Sequence, residues 1–153
     1  MFVPILLGSE KDLDHASKIT KVLDDFEVGY KVMVASAHKV PEQVLEIIKK
    51  YDSKKESVCY ITCAGRSNAL SGFVAANTVN PVIGCPPFSD KADMMVNIHS
   101  TLQMPTDTPV LTVLDPQNAA MAAIRILAIL NKDLRKRVHA HIVTLKKTFK
   151  KFQ

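Results

Sequence analysis

Five times along this chain a short apolar run gives way to a stretch whose apolar residues recur every three or four positions. FVPILL precedes DLDHASKITKVLDDF, in which Leu13, Ala16, Ile19, Leu23 and Phe26 share one helical face. The alternation repeats in YKVMVAS and PEQVLEIIKKY, SVCYITCAG and NALSGFVAANT, NPVIGCPP and KADMMVNIHSTL, and PVLTVLDP and NAAMAAIRILAIL. Each connecting helix must bury its stripe against the strands, so five strand-helix units predict a five-stranded parallel sheet covered on both faces, a three-layer α/β fold. With 153 residues, 47% of them hydrophobic and 23% charged, the chain can bury one sizeable core and has no room for a second. No long linker or low-complexity tract interrupts it. The expected organisation is one domain, residues 1–153, with an α/β core over 1–131 and a basic C-terminal helix extension over 132–153.

The formal charge of +5 is unevenly placed. Residues 132–153 hold eight Lys and Arg against Asp133 alone, a net +7, which leaves residues 1–131 at −2. A basic terminal helix without interleaved aromatics or a recognised motif does not predict nucleic-acid binding. MFVPILLGSE lacks the basic start and long apolar stretch of a signal peptide, and no apolar run approaches the roughly 18 residues that span a bilayer, so a cytoplasmic protein with no membrane partner is expected. Three cysteines, Cys59, Cys63 and Cys85, suit a reducing compartment better than a disulfide framework. If Cys59 and Cys63 share a strand, a rise of about 3.3 Å per residue sets them about 13 Å apart, too far for a shared metal, and core thiols are expected.

Two helices carry more apolar surface than one subunit of this design would hide. Between residues 119 and 130 the only charge is Arg125, which predicts packing between subunits. The last helix aligns Leu134, Val138, Ile142, Leu145, Phe149 and Phe152 at steps of three and four, and docking on its own or a neighbouring subunit is expected over a membrane-surface role.

In an open parallel sheet, ligands bind outside the carboxyl ends of the strands, and the informative polar residues fall there. The strands end in Gly8-Ser9, in Ser36-Ala37-His38-Lys39, in Ala64-Gly65-Arg66-Ser67-Asn68, in Cys85-Pro86-Pro87 and in Asp115-Pro116. In GSEKD, Ser9 and Asp12 form a capping box that any helix can use; equally, Gly8 lets the chain approach a ligand, Ser9 and backbone N–H groups hold a phosphate, and Asp12 accepts from ribose hydroxyls. In AGRSN, Gly65 permits a tight turn and Ser67 and Asn68 can cap the next helix, while the five donors of Arg66 suit a phosphate, a carboxylate or a structural ion pair. There is no GxGxxG or GxxxxGK[ST], so a dinucleotide or ordinary ATP site has no support, and neither Ser9 nor Ser67 sits in the GxSxG of a nucleophilic serine.

Taken together, LLGSEKDL, VASAHKVPEQV, AGRSNALSGFVAANTVNPVIGCPP, LQMP and the NAAMAA run after Gln117 resemble, in order over residues 2–131, the phosphoribosylaminoimidazole carboxylase family of purine biosynthesis. The resemblance implies a flavodoxin/Rossmann-like fold and homo-oligomers, tetramers or octamers, with sites between subunits that LQMP, residues 102–105, would reach. It also discriminates between two branches. The mutase branch has an arginine after the SAH histidine and a second histidine in a GAAH-like third loop; Lys39 and Arg66-Ser67-Asn68 stand there instead, as in the class II branch that uses carbon dioxide directly. By that resemblance the partners are aminoimidazole ribonucleotide and CO2, with no ATP, biotin, metal or other cofactor, and His38 and Lys39 are catalytic. The same resemblance implies that Gly8, Ser9, Asp12, Ser36, Lys39, Ala64, Gly65, Arg66, Ser67 and Asn68 form the substrate site.

The chemistry of the residues agrees. An aminoimidazole ring is electron-rich, so a ring carbon can attack carbon dioxide, after which that carbon must lose a proton to restore aromaticity. An imidazole, ordinarily titrating at about pH 6.5, can take that proton and return it in reverse, which assigns general acid-base work to His38. Lys39 would attract the carboxylate or the ribose-phosphate end, and donors in residues 65–68 would stabilise carboxylate charge. Two other readings stay open: the mutase reaction of the same family, and a non-catalytic nucleotide-binding module on the same scaffold.

Overall fold

The computed structural model describes residues 1–150. Phe152 of the terminal apolar stripe lies outside the described residues. Parallel strands β1 (Phe2–Leu7), β2 (Gly29–Val34), β3 (Tyr60–Cys63), β4 (Val82–Gly84) and β5 (Leu111–Thr112) form one sheet in the order β2-β1-β3-β4-β5. The connecting helices are α1 (Leu13–Asp25), α2 (Pro41–Asp52), α3 (Ala69–Ala75), α4 (Lys91–Leu102) and α5 (Pro116–Leu127), and α6 (Lys132–Lys150) closes the chain. This is the five-stranded, three-layer arrangement that the alternation predicts, and it is the flavodoxin-like fold that the resemblance implies. The chain leaves β1 toward β2 on one side and returns to β3 on the other, which creates a crevice at the carboxyl ends around β1.

Local chemistry sets where each helix begins. Asn68, Asp90 and Asp115 accept backbone N–H groups of Ser71, Asp93 and Asn118 at 3.2, 2.9 and 2.7 Å, and Asn131 accepts that of Leu134 at 2.8 Å. Pro41 and Pro116 occupy first-turn positions, where no backbone donor is needed.

The pleat divides the core into two. Val3, Ile5 and Leu7 of β1 join Ile61, Cys63, Ile83 and Cys85 under α1, α5 and α6, whereas Leu6, Tyr60 and Val82 pack with α2 and α3. Cys59, Cys63 and Cys85 are buried free thiols, and burial pushes the Cys59 thiol up to about 12.

Two helices differ from the simplest reading of their sequences. The apolar surplus of α5 is covered in part by the chain's own α6, whose Leu134 and Val138 enter the core beside Ala128 and Leu127, while Ile129 and Leu130 remain exposed. Arg137 of α6 donates to Glu27 at 3.1 Å, and His141 meets the edge of the Phe26 ring at 5.3 Å between centroids. The farther residues Leu145 and Phe149 stay exposed. In α4 the expected inward apolar stripe is reversed: Asn97 and Thr101 are buried, and Met95, Val96 and Leu102 face outward. Met104 of LQMP lies on α3, its sulfur 3.0 Å from where a β-carbon on Gly72 would stand. Among the described residues no helix is long and apolar enough to cross a membrane.

Candidate active site

The central strand of the site is β1. Leu7 pairs with Val34 of β2 on one side and with Cys63 of β3 on the other, and the pairing runs one step further as Ala35 N–H donates to Leu7 O and Gly8 N–H to Cys63 O, each at 2.9 Å. Three loops therefore leave the sheet at one height. With strands about 4.8 Å apart, their roots span roughly 10 Å, the size of one small nucleotide. The sheet thus gathers residues 8–12, 36–39 and 64–68.

The first loop is a reciprocal cap. Ser9 Oγ accepts from Lys11 N–H at 3.3 Å and Ser9 N–H donates to Asp12 Oδ2 at 3.1 Å, around a 3-10 turn over Glu10–Asp12 that runs into α1. Partial burial raises the Asp12 carboxyl above the usual aspartate range, against the Ser9 N–H and the nearby His15, which both lower it. The third loop crowds Gly8: a β-carbon there would stand 3.1 Å from that of Ala64. Ser9 and Asp12 are half-buried and open to the rim.

The second loop turns directly after β2. Lys39 and Val40 N–H groups donate to Ser36 O at 3.2 and 2.9 Å, and the turn leaves both His38 and Lys39 exposed while Ser36 and Ala37 are half-buried. The imidazole of His38 is thus exposed at the carboxyl end of the sheet and not packed in the interior.

The third loop is the most constrained. Arg66 holds a left-handed backbone, φ 57°, unusual for a residue with a β-carbon. Its N–H donates to Asn97 Oδ1, and Asn97 Nδ2 donates onward to Pro87 O at 2.7 Å. Asn68 N–H donates to Ser100 Oγ at 2.6 Å, and Asn68 Nδ2 reaches Ser71 and Thr101 hydroxyls at 2.8 and 3.0 Å. The Asn68 side chain is therefore a buried cap for α3, one of its two readings from sequence, and it shapes the loop from below. Gly65 passes so close to α4 that a β-carbon would lie 2.9 Å from Asn97 Nδ2. Ser67 and the Arg66 guanidinium project outward, and among the described residues Arg66 makes no ion pair.

Sequence reasoning missed Asn97, Ser100 and Thr101, the supports of this loop. Their spacing of three and four along one helical face was the available signal, but an inward polar stripe reads in sequence as a wet face. It also missed His15, whose Nε2 lies 3.2 Å from Cys85 Sγ beneath the first loop.

A doubly wound parallel sheet whose carboxyl-end crevice is rimmed by a hydroxyl-carboxylate cap, an imidazole, an ammonium and a guanidinium defines an α/β protein with the groups a small anionic ligand would need. Comparison with known proteins narrows this. The family model described as AIR carboxylase matches residues 2–148. A phosphoribosylaminoimidazole carboxylase of Archaeoglobus fulgidus is 48% identical over 88% of this chain and 73% of its own length. An N5-carboxyaminoimidazole ribonucleotide mutase of Pyrococcus horikoshii is 34% identical over 95% of this chain and 82% of its own. The crystal structure of Treponema denticola PurE superposes with a TM-score of 0.92 at 38% identity, covering 98% of this chain and 94% of that one. The chain belongs to the AIR carboxylase family, enzymes of purine biosynthesis.

Proposed function

We propose that this protein carboxylates 5-aminoimidazole ribonucleotide with CO2 to 4-carboxy-5-aminoimidazole ribonucleotide, reversibly and without ATP or another cofactor. The observation that carries this reading is the exposed His38-Lys39 turn standing beside the Ser9-Asp12 cap and the Arg66-Ser67 loop, on a chain of this family.

In that reaction the nucleotide's phosphate and ribose lie on the first loop, with Ser9 donating to phosphate and Asp12 accepting from hydroxyls. The ring carbon forms a bond to the carbon of CO2, whose π pair moves onto oxygen to give a carboxylate. The same ring carbon then releases its proton to the His38 imidazole, and the C–H electron pair restores the aromatic ring. Lys39, the Arg66 guanidinium and the Ser67 hydroxyl supply positive charge and donors to the new carboxylate. Holding Arg66 and Ser67 on a fixed backbone avoids reorganising them during the reaction.

The mutase reaction, which moves a carboxyl group from the exocyclic nitrogen to the ring carbon, is the second reading, because a relative carries that name. Lys39 and the Arg66-Ser67-Asn68 sequence favour the CO2-using branch, since they stand where the mutase branch has an arginine and a second histidine. One assay separates them: bicarbonate or CO2 supplied with aminoimidazole ribonucleotide and no ATP should give product. Product only from the N-carboxylated nucleotide would establish the mutase, and binding without turnover of either would leave a non-catalytic module. His38→Asn should still bind the nucleotide while turnover falls by about 100-fold or more, the scale of general acid-base catalysis; near-normal turnover removes His38 from the mechanism.

The same reading includes assembly into a tetramer or octamer with sites between subunits. Outward Met95, Val96 and Leu102 on α4, with Phe88 nearby in sequence, and Ile129 and Leu130 after α5 supply apolar surface for it. Light scattering that gives the monomer mass for fully active protein would refute shared sites.

A further inference from the structure

One polar cluster lies under the rim and outside the chemistry above. His15 sits in the first turn of α1, three residues after Asp12 and on the same helical side. A histidine in the first turn of a surface helix is ordinarily solvated, yet this one is half-buried, with Nε2 3.2 Å from Cys85 Sγ. Cys85 directly follows β4, is fully buried, and points its thiol also toward Leu114 O at 3.8 Å. Because Thr62 pairs with Gly84, Cys63 and Cys85 are neighbours at the ends of β3 and β4. The His15 ring therefore bridges the helix that begins in the first loop to a strand end on the far side of β3.

We propose that His15 is a positioning residue for the substrate, clamping the Asp12 turn to the end of β4 through Cys85 so that the Asp12 carboxylate meets the ribose. This rests on the carboxylase reading only for the identity of the ligand. Two effects follow from the geometry. Mechanically, the 3-10 turn over Glu10–Asp12 has no buried residue of its own to anchor it, and His15 supplies an anchor one turn on. Electrostatically, burial works against the Asp12 charge and His15 works for it. The titratable groups around this spot are Asp12 and His15 on the first loop and α1, Cys63 after β3, Cys85 after β4 and Asp115 at the start of α5. Hydrogen bonding from Cys63 and His15 draws the Cys85 thiol down, and the Cys63 thiol, hydrogen-bonded to Cys85 and wholly buried, is driven up.

The sign of the pH effect follows. The Asp12 carboxyl already sits above its ordinary range, so its charge fails early as pH falls; without His15 it fails earlier still. In His15→Ala and His15→Gln, KM for aminoimidazole ribonucleotide should rise about tenfold at neutral pH with kcat little changed, the worth of one hydrogen bond to a charged group. The acid limb of kcat/KM should move to higher pH alike in both variants, since neither replacement carries charge, whereas the rise in KM should be smaller in His15→Gln, which can still reach Cys85, and Cys85→Ser should raise KM mildly with the acid limb in place. Thermal melting run alongside separates a fold effect: a His15 residue that is merely structural lowers the melting temperature and leaves KM and the acid limb in place, and that result overturns the proposal. Wild-type protein that neither binds nor converts the nucleotide would sink the carboxylase reading and this inference together, whereas active wild type with indifferent His15 variants sinks the inference alone.

Discussion

Removing the Asn97 side chain tests whether the third loop is held from below by α4. In Asn97→Ala the Arg66 N–H and the Pro87 carbonyl lose their partners in a part-buried place. Each orphaned group costs about 1–3 kcal/mol, less where water can enter, so together about 3 kcal/mol is expected. The left-handed Arg66 backbone, itself about 1 kcal/mol above an ordinary conformation, also loses the bond that holds it. For a chain of this size about 3 kcal/mol corresponds to a fall in melting temperature of roughly 6–12 °C, well within what the native state can lose without unfolding at 25 °C. Carboxylation should drop as well, because Arg66 and Ser67 then reach the product carboxylate from a mobile backbone. Asn97→Asp keeps the acceptor for Arg66 but sets a carboxylate against Pro87 O, so it should destabilise at least as much while preserving more activity. Circular-dichroism melts with the ATP-free assay read both. An Asn97→Ala protein melting within about 1 °C of wild type, with unchanged turnover, would refute the idea that this amide holds the loop.

Leu134 of α6 is fully buried whereas Leu145 is half exposed; Leu134→Ala should cost about 2–5 kcal/mol in urea unfolding and Leu145→Ala under about 0.5 kcal/mol, and equal effects would show that the first half of α6 is not part of the core. The N-terminal ammonium lies 3.0 Å from Glu56 and, as the largest influence, holds its carboxyl below the usual glutamate range. A depressed folded value means stability present above the unfolded pKa of about 4.3 and lost as pH falls through the folded one, so Glu56→Gln should lower stability by up to about 1 kcal/mol at pH 7 and leave it unchanged near pH 3. A difference that persists at pH 3 would mean that the pair is not the cause.

The order of strands and helices was legible because each apolar run is short and each following stripe is periodic; the strands toward the far edge shrank most, NPVIGCPP giving only Val82–Gly84 and PVLTVLDP only Leu111–Thr112. Gly8, Ser9, Asp12, His38 and Arg66 were legible as rim residues because a parallel sheet puts every strand-to-helix junction on one edge. Their supports were not. Asn97 and Thr101 are small polar residues in a helix, and only the folded chain shows that this face turns inward while Met95 and Val96 turn out. The surplus on α5 was visible, yet its cover by α6 depends on a tight reversal after Leu127 that places Leu134 over Ala128, a long-range outcome that periodicity does not encode. The Cys85 and His15 contact joins residues seventy positions apart and left no trace in either local motif.

The anchors of the third loop have a consequence for how the protein is made. Within one subunit, every residue given a role in the reaction lies before position 69, but the amides and hydroxyls that fix residues 65–68 come from positions 97–101. During vectorial synthesis the chemistry-bearing half emerges from the ribosome first and must wait, unfinished, for roughly thirty more residues to arrive, so a nascent chain arrested before α4 should hold a sheet edge and no working crevice.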